Sequence, residues 1–268
     1  MRTAIAFALL GCTEVTTGVA AQPIVGGVVS PQDQATVALV GPRGVFCSGV
    51  LVESTRVITA AHCLPPHITE PIEAVEVFFG ADITQGGVRI AILEARAHPA
   101  WQPDSFTDDI GIIELVEPSA IGPVAVGSTA GLTGGDTLRA VGYGVSQAAG
   151  VPGVKRTGEL IVDTIDASTI ELFADPAVTC NGDSGGPVFA GDAVVGINSR
   201  SNCETAALAE RVDAHADFLA GDANVVGGCS TTPSPPLLLL LVIIAWCRVG
   251  FGCASSRSRS AARPRMWS

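Results

Sequence analysis

Short apolar runs separated by glycine, proline and polar residues recur along the middle of the chain, from Thr36 to about Ser199. Runs of this length bounded by turn-forming residues are typical of β-strands. The 31 Gly and 17 Pro of the chain supply the turns. The pattern therefore predicts an all-β fold, a sandwich or a pair of barrels. The runs are 37–40, 50–52, 57–61, 75–79, 88–93, 110–116, 138–142, 160–165 and 193–197.

Helical periodicity is confined to one segment near the end of this region. Val212, Ala216 and Leu219 fall on one helical face, and Gly221 is a stop signal, so we expect a terminal helix over about 210–220. A stretch rich in Pro and Gly at 117–135 divides the β region into halves of about 24–117 and 135–210. We interpret that stretch as the interdomain connection.

Both ends of the chain differ in composition from the middle. Residues 1–21 have a basic residue, an apolar run and small residues ending at Ala21, the layout of a secretory signal peptide. A lipoprotein cleavage site with Cys12 lipidated is the alternative. A linker at 223–236 precedes an apolar and basic tail at 237–268. Its eleven uninterrupted apolar residues are too few for a comfortable membrane span, which favours a processing or sorting signal.

Composition and charge exclude some classes of function. The 268 residues are 47% hydrophobic, enough for a substantial core. The formal net charge is -11, which argues against nucleic acid as a partner because phosphate binding needs a basic surface. In an exported chain, neighbouring thiols among the eight Cys are expected to form disulfides.

Three segments carry the side chains that hydrolysis by serine requires: a nucleophile, a base and an orienting carboxylate. Residues 182–187 read Gly-Asp-Ser-Gly-Gly-Pro, which places Ser184 in a glycine-rich turn whose amides can face a substrate carbonyl. His62 ends a β run beside Cys63. Asp109 opens the apolar run that begins at Ile110. No Cys and His arrangement has zinc spacing, so no metal is expected.

These segments resemble the histidine, aspartate and serine motifs of the chymotrypsin/trypsin family, in the family's usual chain order. The resemblance covers roughly residues 24–222 and implies two packed antiparallel β-barrels with a C-terminal helix. It also implies a serine endopeptidase that acts on proteins or peptides and needs no cofactor. Further similar segments are Ile-Val-Gly-Gly at 24–27, His-Pro-Ala-Trp at 98–101, Val-Gly-Tyr-Gly at 141–144 and the closing segment 211–219.

The resemblance also assigns roles to individual residues. It implies a catalytic triad of His62, Asp109 and Ser184, with the amides of Gly182 and Ser184 as the oxyanion hole. It implies that Ile24 and Asp183 form an ion pair on activation and that Ser199 supports the triad. It also implies two disulfides, Cys47 with Cys63 and Cys180 with Cys203.

The substrate pocket departs from the trypsin-like pattern. Val178 stands where trypsin-like members have Asp, so a buried Lys or Arg of the substrate would find no charge partner. The remaining pocket positions are Thr179, Ser199, Arg200, Ser201 and Ala207. The narrowed, uncharged pocket predicts cleavage after small or medium apolar residues.

The residue before Ile24, whose free amino group the activation ion pair requires, also departs from the family's pattern. Pro23, not Lys or Arg, precedes Ile24, so we expect an X-Pro dipeptidyl aminopeptidase to remove a minimal propeptide at 22–23. The tail resembles bacterial sorting signals in which a membrane protease cuts and Cys229 is modified. A simple membrane anchor and a misread end of the gene are the alternatives, because the apolar run is short. The protein is then secreted or held at a bacterial cell surface, and contacts the membrane only through this tail.

Two other functions are compatible with parts of the sequence. A catalytically silent homologue could keep the fold for protein binding, although such homologues commonly lack a triad residue and this chain lacks none. An exported esterase would use the same nucleophile, but the order His, Asp, Ser differs from the Ser, Asp, His order of α/β-hydrolases.

Overall fold

The structure is a computed structural model that describes residues 24–146 and 150–221. The expected signal peptide, the dipeptide 22–23, the linker and the tail, with Cys12 and Cys229, lie outside the described residues. Within those two ranges, no helix is long and apolar enough to cross a membrane.

Thirteen β-strands form the framework of the described residues. They are β1 (Val28–Val29), β2 (Thr36–Gly41), β3 (Gly44–Glu53), β4 (Arg56–Thr59), β5 (Glu76–Phe79), β6 (Val88–Ala97), β7 (Gly111–Leu115), β8 (Thr137–Gly142), β9 (Arg156–Ile165), β10 (Thr169–Ala174), β11 (Pro187–Ala190), β12 (Ala193–Ser201) and β13 (Ala206–Arg211). Short 3-10 helices lie at Ala61–Cys63, Ile72–Ala74 and Asp213–His215, and the α-helix α1 spans Ala216–Leu219.

The strands form two antiparallel barrels, which confirms the expected fold class. The first is closed in the order β2-β3-β4-β7-β6-β5. The second runs β9-β10-β13-β12-β11-β8 and closes because β8 also pairs with β9, while β1 extends it at β9. Closure leaves few unpaired strand edges in either barrel.

Alternation of side chains along the strands builds both the barrel cores and the surface between them. Ile113 points into the core of the first barrel, whereas its neighbour Ile112 belongs to a separate cluster with Val141 and Phe189 of the second barrel. Likewise, Leu51 lies in the core of the first barrel and Val50 in the cluster between the barrels. Because successive side chains of a strand face opposite sides, one apolar run supplies both surfaces, and the barrels pack through a second apolar layer.

The terminal helix is shorter than the sequence predicts. Glu210 and Arg211 belong to β13, and helical structure begins only at Asp213. Val212 and Leu219 are buried as expected, in the same apolar cluster between the barrels as Ile112, but Ala216 is exposed. The expectation of helix from 210 was wrong because pairing with β10 and β12 holds this segment as a strand.

Candidate active site

The pairing of β4 with β7 brings His62 and Asp109 to the same end of the first barrel. Thr59 lies opposite Gly111, so the residues just beyond β4 and just before β7 are neighbours. His62 Nδ1 lies 2.7 Å from Asp109 Oδ2, and the His62 backbone amide donates a 2.9 Å hydrogen bond to Asp109 Oδ1. The Asp109 side chain is fully buried, whereas that of His62 is 24% exposed. The carboxylate therefore fixes the ring, which remains partly accessible to solvent.

Ser199 of β12 connects Asp109 to Ser184. The Ser199 hydroxyl donates a 2.6 Å hydrogen bond to Asp109 Oδ2, the same oxygen that contacts the imidazole. The hydroxyl of Ser184 donates a long 3.4 Å hydrogen bond to the carbonyl oxygen of Ser199. Ser199 thus links Asp109, and through it His62, to Ser184 at the junction of the two barrels, while no hydrogen bond among the described residues joins Ser184 directly to His62.

The loop around Ser184 depends on glycine. Gly182 has a φ of +96°, and a Cβ there would lie 2.9 Å from the Gly144 Cα, so the loop excludes other residue types. Ser184 is anchored through its carbonyl oxygen, which accepts a 2.8 Å hydrogen bond from the Ser48 amide. Within the described part of the chain, the amides of Gly182 and Ser184 donate no hydrogen bond. Both amides are therefore available to an incoming acceptor.

Ser48 is a site residue that the sequence analysis missed. Its hydroxyl is buried, donates a 2.8 Å hydrogen bond to the Gly182 carbonyl and accepts a 2.9 Å hydrogen bond from the Tyr143 amide. A serine of the first barrel thereby holds two loops of the second. No motif carries this signal, because Ser48 lies 134 residues before Gly182.

Asp183 is fully buried beneath the same loop. Its carboxylate accepts hydrogen bonds from the amides of Gly144 at 2.8 Å and Cys180 at 2.9 Å. Burial raises the pKa of Asp183 to about 7, and the two amides oppose that rise. No Lys, Arg or His among the described residues forms an ion pair with it, and the Ile24 nitrogen belongs to the Pro23–Ile24 peptide bond. Ile24 itself is buried in the core of the second barrel.

Two disulfides brace the site, with the pairing that the family resemblance implied. Cys47–Cys63 lies next to His62, and Cys180–Cys203 joins the Ser184 loop to the end of β12. Each bond ties a segment that carries a site residue to a neighbouring strand or loop. This restricts the movement of His62 and of the Ser184 loop.

The predicted pocket residues lie close together in the second barrel. Val178 is 1% exposed and packs in the barrel core with Ala207. Ser201 lies opposite Ala207 and donates a 2.5 Å hydrogen bond to the Thr179 carbonyl oxygen. The predicted floor, Val178, and the wall residues Ser201 and Ala207 are therefore uncharged, whereas Arg200 brings a positive charge to the predicted pocket positions.

Phe106 is a second residue that the sequence analysis missed. Its ring centroid lies 5.6 Å from that of His62, and the Arg200 guanidinium carbon lies 5.6 Å from the same ring. Phe106 therefore contacts both the candidate catalytic histidine and Arg200. Phe106 occupies a short polar loop that carries no recognisable pattern.

A buried carboxyl group, Glu210, lies behind Asp109. Burial raises the pKa of Glu210; the hydrogen bond and charge of His215 oppose this, and the charge of Asp109 adds to it. Its Oε2 lies 3.2 Å from His215 Nε2. The sequence predicts Glu210 in a helix and indicates no role for it.

Comparisons with known proteins identify the family. A family model described as Trypsin matches residues 24–219, so the chain belongs to the trypsin family of serine proteases. Serine protease SP24D of Anopheles gambiae is 31% identical over 192 residues, which cover 65% of this chain and 70% of that protein. Trypsin of Saccharopolyspora erythraea is 26% identical over 206 residues, covering 66% and 86%.

A solved structure supports the fold independently. Mouse neuropsin, a serine protease expressed in the limbic system of the brain, superimposes with a TM-score of 0.63. The match covers 72% of this chain and 97% of neuropsin, at 21% sequence identity. At that identity the likeness concerns the two-barrel fold alone.

Proposed function

We propose that the chain is a serine endopeptidase that cleaves peptide bonds through an acyl-enzyme. Ser184 Oγ attacks the carbonyl carbon while its proton passes to His62 Nε2. The tetrahedral intermediate collapses as the C–N bond breaks and His62 returns the proton to the leaving amine. Water then repeats the sequence and releases the acid from Ser184. No cofactor enters these steps.

The observation that carries the proposal is the sharing of Asp109 Oδ2 by His62 Nδ1 and the Ser199 hydroxyl, at 2.7 and 2.6 Å. A carboxylate only accepts hydrogen bonds, so the ring nitrogen that faces it must carry the proton. Nε2 of neutral His62 then keeps its lone pair and can act as the base. Burial of Asp109 protects this arrangement from competing water.

The amides of Gly182 and Ser184 are the proposed oxyanion hole. Two fixed donors aimed at the developing negative charge are a large source of catalysis in acyl transfer. The support here is that both amides lack partners within the described residues and sit in a loop held by Ser48.

Activation is proposed to complete this site. Loss of residues 22–23 frees the Ile24 ammonium, which then pairs with Asp183. A buried carboxylate with no cation is costly, and an ion pair relieves most of that cost. The raised pKa of Asp183, about 7 with the Pro23–Ile24 bond intact, is the property that such a pair would reverse.

The proposed substrate preference is for small or medium apolar residues before the cleaved bond. Val178 offers no charge to a Lys or Arg side chain, and Ala207 and Ser201 narrow the pocket relative to glycine. Arg200 lies outside the floor, near Phe106. The preference rests on these side chains together.

The ends of the chain are proposed to direct it out of the cell. The expected signal peptide at 1–21 exports the protein, and the tail at 237–268 is cut by a sorting protease with modification at Cys229. Cell fractionation and mass spectrometry of the mature C-terminus test this. An intact, unmodified segment 229–268 on the exported protein would contradict the sorting step.

The function is tested by incubating the activated protein with unfolded protein substrates and identifying the new termini by mass spectrometry. The control is the Ser184→Ala variant prepared in the same way. Cleavage by the wild-type chain alone supports the endopeptidase. Stable binding of substrates without cleavage by either chain would instead indicate the silent homologue.

A further inference from the structure

A cluster of His98, Asp108 and His215 lies next to Asp109 but has no part in the proposed reaction. His98 follows β6, Asp108 directly precedes Asp109, and His215 ends the 3-10 helix Asp213–His215. One ligand atom from each residue lies within 4.8 Å of the other two. The first two residues are far in sequence from the third, so sequence spacing could not reveal the group.

The contacts of His215 leave one ring nitrogen facing Asp108. Its Nε2 lies 3.2 Å from the carboxylate of Glu210, which is fully buried and accepts the N–H. The lone pair of neutral His215 is then on Nδ1, which lies 3.9 Å from Asp108 Oδ1. That distance is too long for a hydrogen bond. Two ligands of one tetrahedral metal ion lie roughly 3.4 Å apart, so a small closure would fit an ion between them.

Glu210 gives His215 the outer contact that metal-binding histidines commonly have. In many metal sites, a carboxylate accepts the second ring N–H, which fixes the tautomer and strengthens the ligand. The Oε1 atom of Glu210 is buried and forms no hydrogen bond within the described residues.

His98 completes the set with its ring centroid 4.9 Å from that of His215. The Ala100 amide donates a 3.2 Å hydrogen bond to His98 Nδ1. Coordination through Nε2 needs the proton on Nδ1 and would therefore replace this contact. The contact is long and solvent-exposed, so its loss costs little.

We propose that His98, Asp108 and His215 bind a divalent transition-metal ion such as Zn²⁺, with a fourth position open to water. Two imidazoles and one carboxylate favour zinc, nickel or copper over calcium and magnesium, which prefer oxygen ligands. Because Asp108 and Asp109 are consecutive, the ion would also restrict the backbone that presents the catalytic carboxylate. The site is therefore placed to couple metal binding to the stability of the segment that carries Asp109.

The test measures Zn²⁺ binding by calorimetry and the melting temperature with and without Zn²⁺, on the full chain carrying Ser184→Ala to prevent self-digestion. We expect Asp108→Asn and His98→Gln each to weaken binding by at least about 10-fold and to abolish the zinc-dependent rise in melting temperature. Both side chains are partly exposed, so these variants should fold. Glu210→Gln should weaken binding less.

The matched control is His67→Gln, an exposed histidine of the same barrel outside the cluster. It should bind Zn²⁺ as the parent does. Equal affinity in the parent, Asp108→Asn and His98→Gln chains would overturn the proposal. So would binding that is lost on His62→Ala but kept in the cluster variants, since that result places the ion at the catalytic histidine.

Cobalt(II) substitution separates this site from the thiols of Cys12, Cys229, Cys247 and Cys253. Cobalt bound by nitrogen and oxygen gives visible ligand-field bands without the strong near-ultraviolet charge-transfer bands of thiolate ligands. We expect ligand-field bands that disappear in Asp108→Asn. Charge-transfer bands that persist in Asp108→Asn, with no other change, would assign the binding to cysteine and contradict the proposal.

Discussion

The hydroxyl of Ser48, in the first barrel, donates a 2.8 Å hydrogen bond to the carbonyl oxygen of Gly182, in the second. The same hydroxyl accepts a hydrogen bond from the Tyr143 amide, and the Ser48 amide donates to the Ser184 carbonyl. One residue of the first barrel thus fixes both ends of the short segment that carries the proposed oxyanion amides. Packing of the two barrels and geometry of the reaction are linked at this point.

Replacement of Ser48 by alanine should lower kcat by roughly 10-fold with little change in KM. A buried carbonyl and amide lose their partner, at about 1–3 kcal/mol, and the Gly182 amide is then less well aimed at the transition state. Steady-state kinetics checks this, with the exposed Ser54→Ala as control. A Ser48→Ala enzyme that melts earlier but keeps the parent kcat would show a purely structural role.

Replacement of Asp109 by asparagine should lower kcat by about 10⁴-fold. The side-chain amide of asparagine would donate to His62 Nδ1 and move the ring proton to Nε2, where it blocks transfer from Ser184. Asp104→Asn, an exposed change in the preceding loop, is the matched control and should behave as wild type. Loss of less than 10-fold in Asp109→Asn would mean that Asp109 does not set the tautomer.

Asp183 should make the unprocessed chain less stable as the pH rises from about 4 to 7. The folded group has a pKa raised to about 7, whereas its ordinary value is 3.8, so the unfolded chain releases this proton first. Between these values ionisation favours unfolding, and above pH 7 the effect is constant. Denaturant unfolding across this range, on the Ser184→Ala chain with and without Asp183→Asn, measures the effect as the difference between the two.

Processing should remove this pH effect. A free Ile24 ammonium paired with Asp183 lowers the pKa of the carboxyl and stabilises its charged form. The chain that begins at Ile24 should therefore lack the decline in stability between pH 4 and 7. An active enzyme whose N-terminal residue is Gln22 would show that the pair is not required.

Digestion of a peptide library should give cleavage mainly after Ala, Val and residues of similar size. The uncharged Val178 at the pocket floor is the reason, and Val178→Asp should shift cleavage toward Lys and Arg while lowering stability, since it buries a charge. Sequencing of the products measures both preferences. A wild-type digest dominated by cleavage after Lys or Arg would exclude the proposed pocket.

The fold could be read from the sequence where apolar runs were long and bounded by turns. Strands β1, β10, β11 and β13 were not predicted, because their apolar runs are short or interrupted by polar residues. Glu210 shows the limit most clearly: helical spacing was present in the sequence, but pairing with two strands overrode it. The local pattern of apolar residues does not indicate which distant segments will pair as strands.

The candidate site was likewise only partly predictable from the sequence. His62, Asp109 and Ser184 stand in distinctive local motifs, so a single sequence sufficed to predict them. Ser48 and Phe106 act through contacts with residues far away in the chain, and nothing next to them marks their positions. Their discovery needs the closed barrels, because the contacts exist only between elements that folding brings together.

The proposed activity depends most directly on the reactivity of the Ser184 hydroxyl. The activated protein is treated with a fluorophosphonate or sulfonyl fluoride, and the adduct is located by mass spectrometry, alongside Ser184→Ala and His62→Ala chains. We predict one covalent adduct per chain, on Ser184, absent from Ser184→Ala and slowed by orders of magnitude in His62→Ala. Labelling of Ser184 at the same slow rate in wild-type and His62→Ala chains would contradict activation by the imidazole and with it the proposed peptidase.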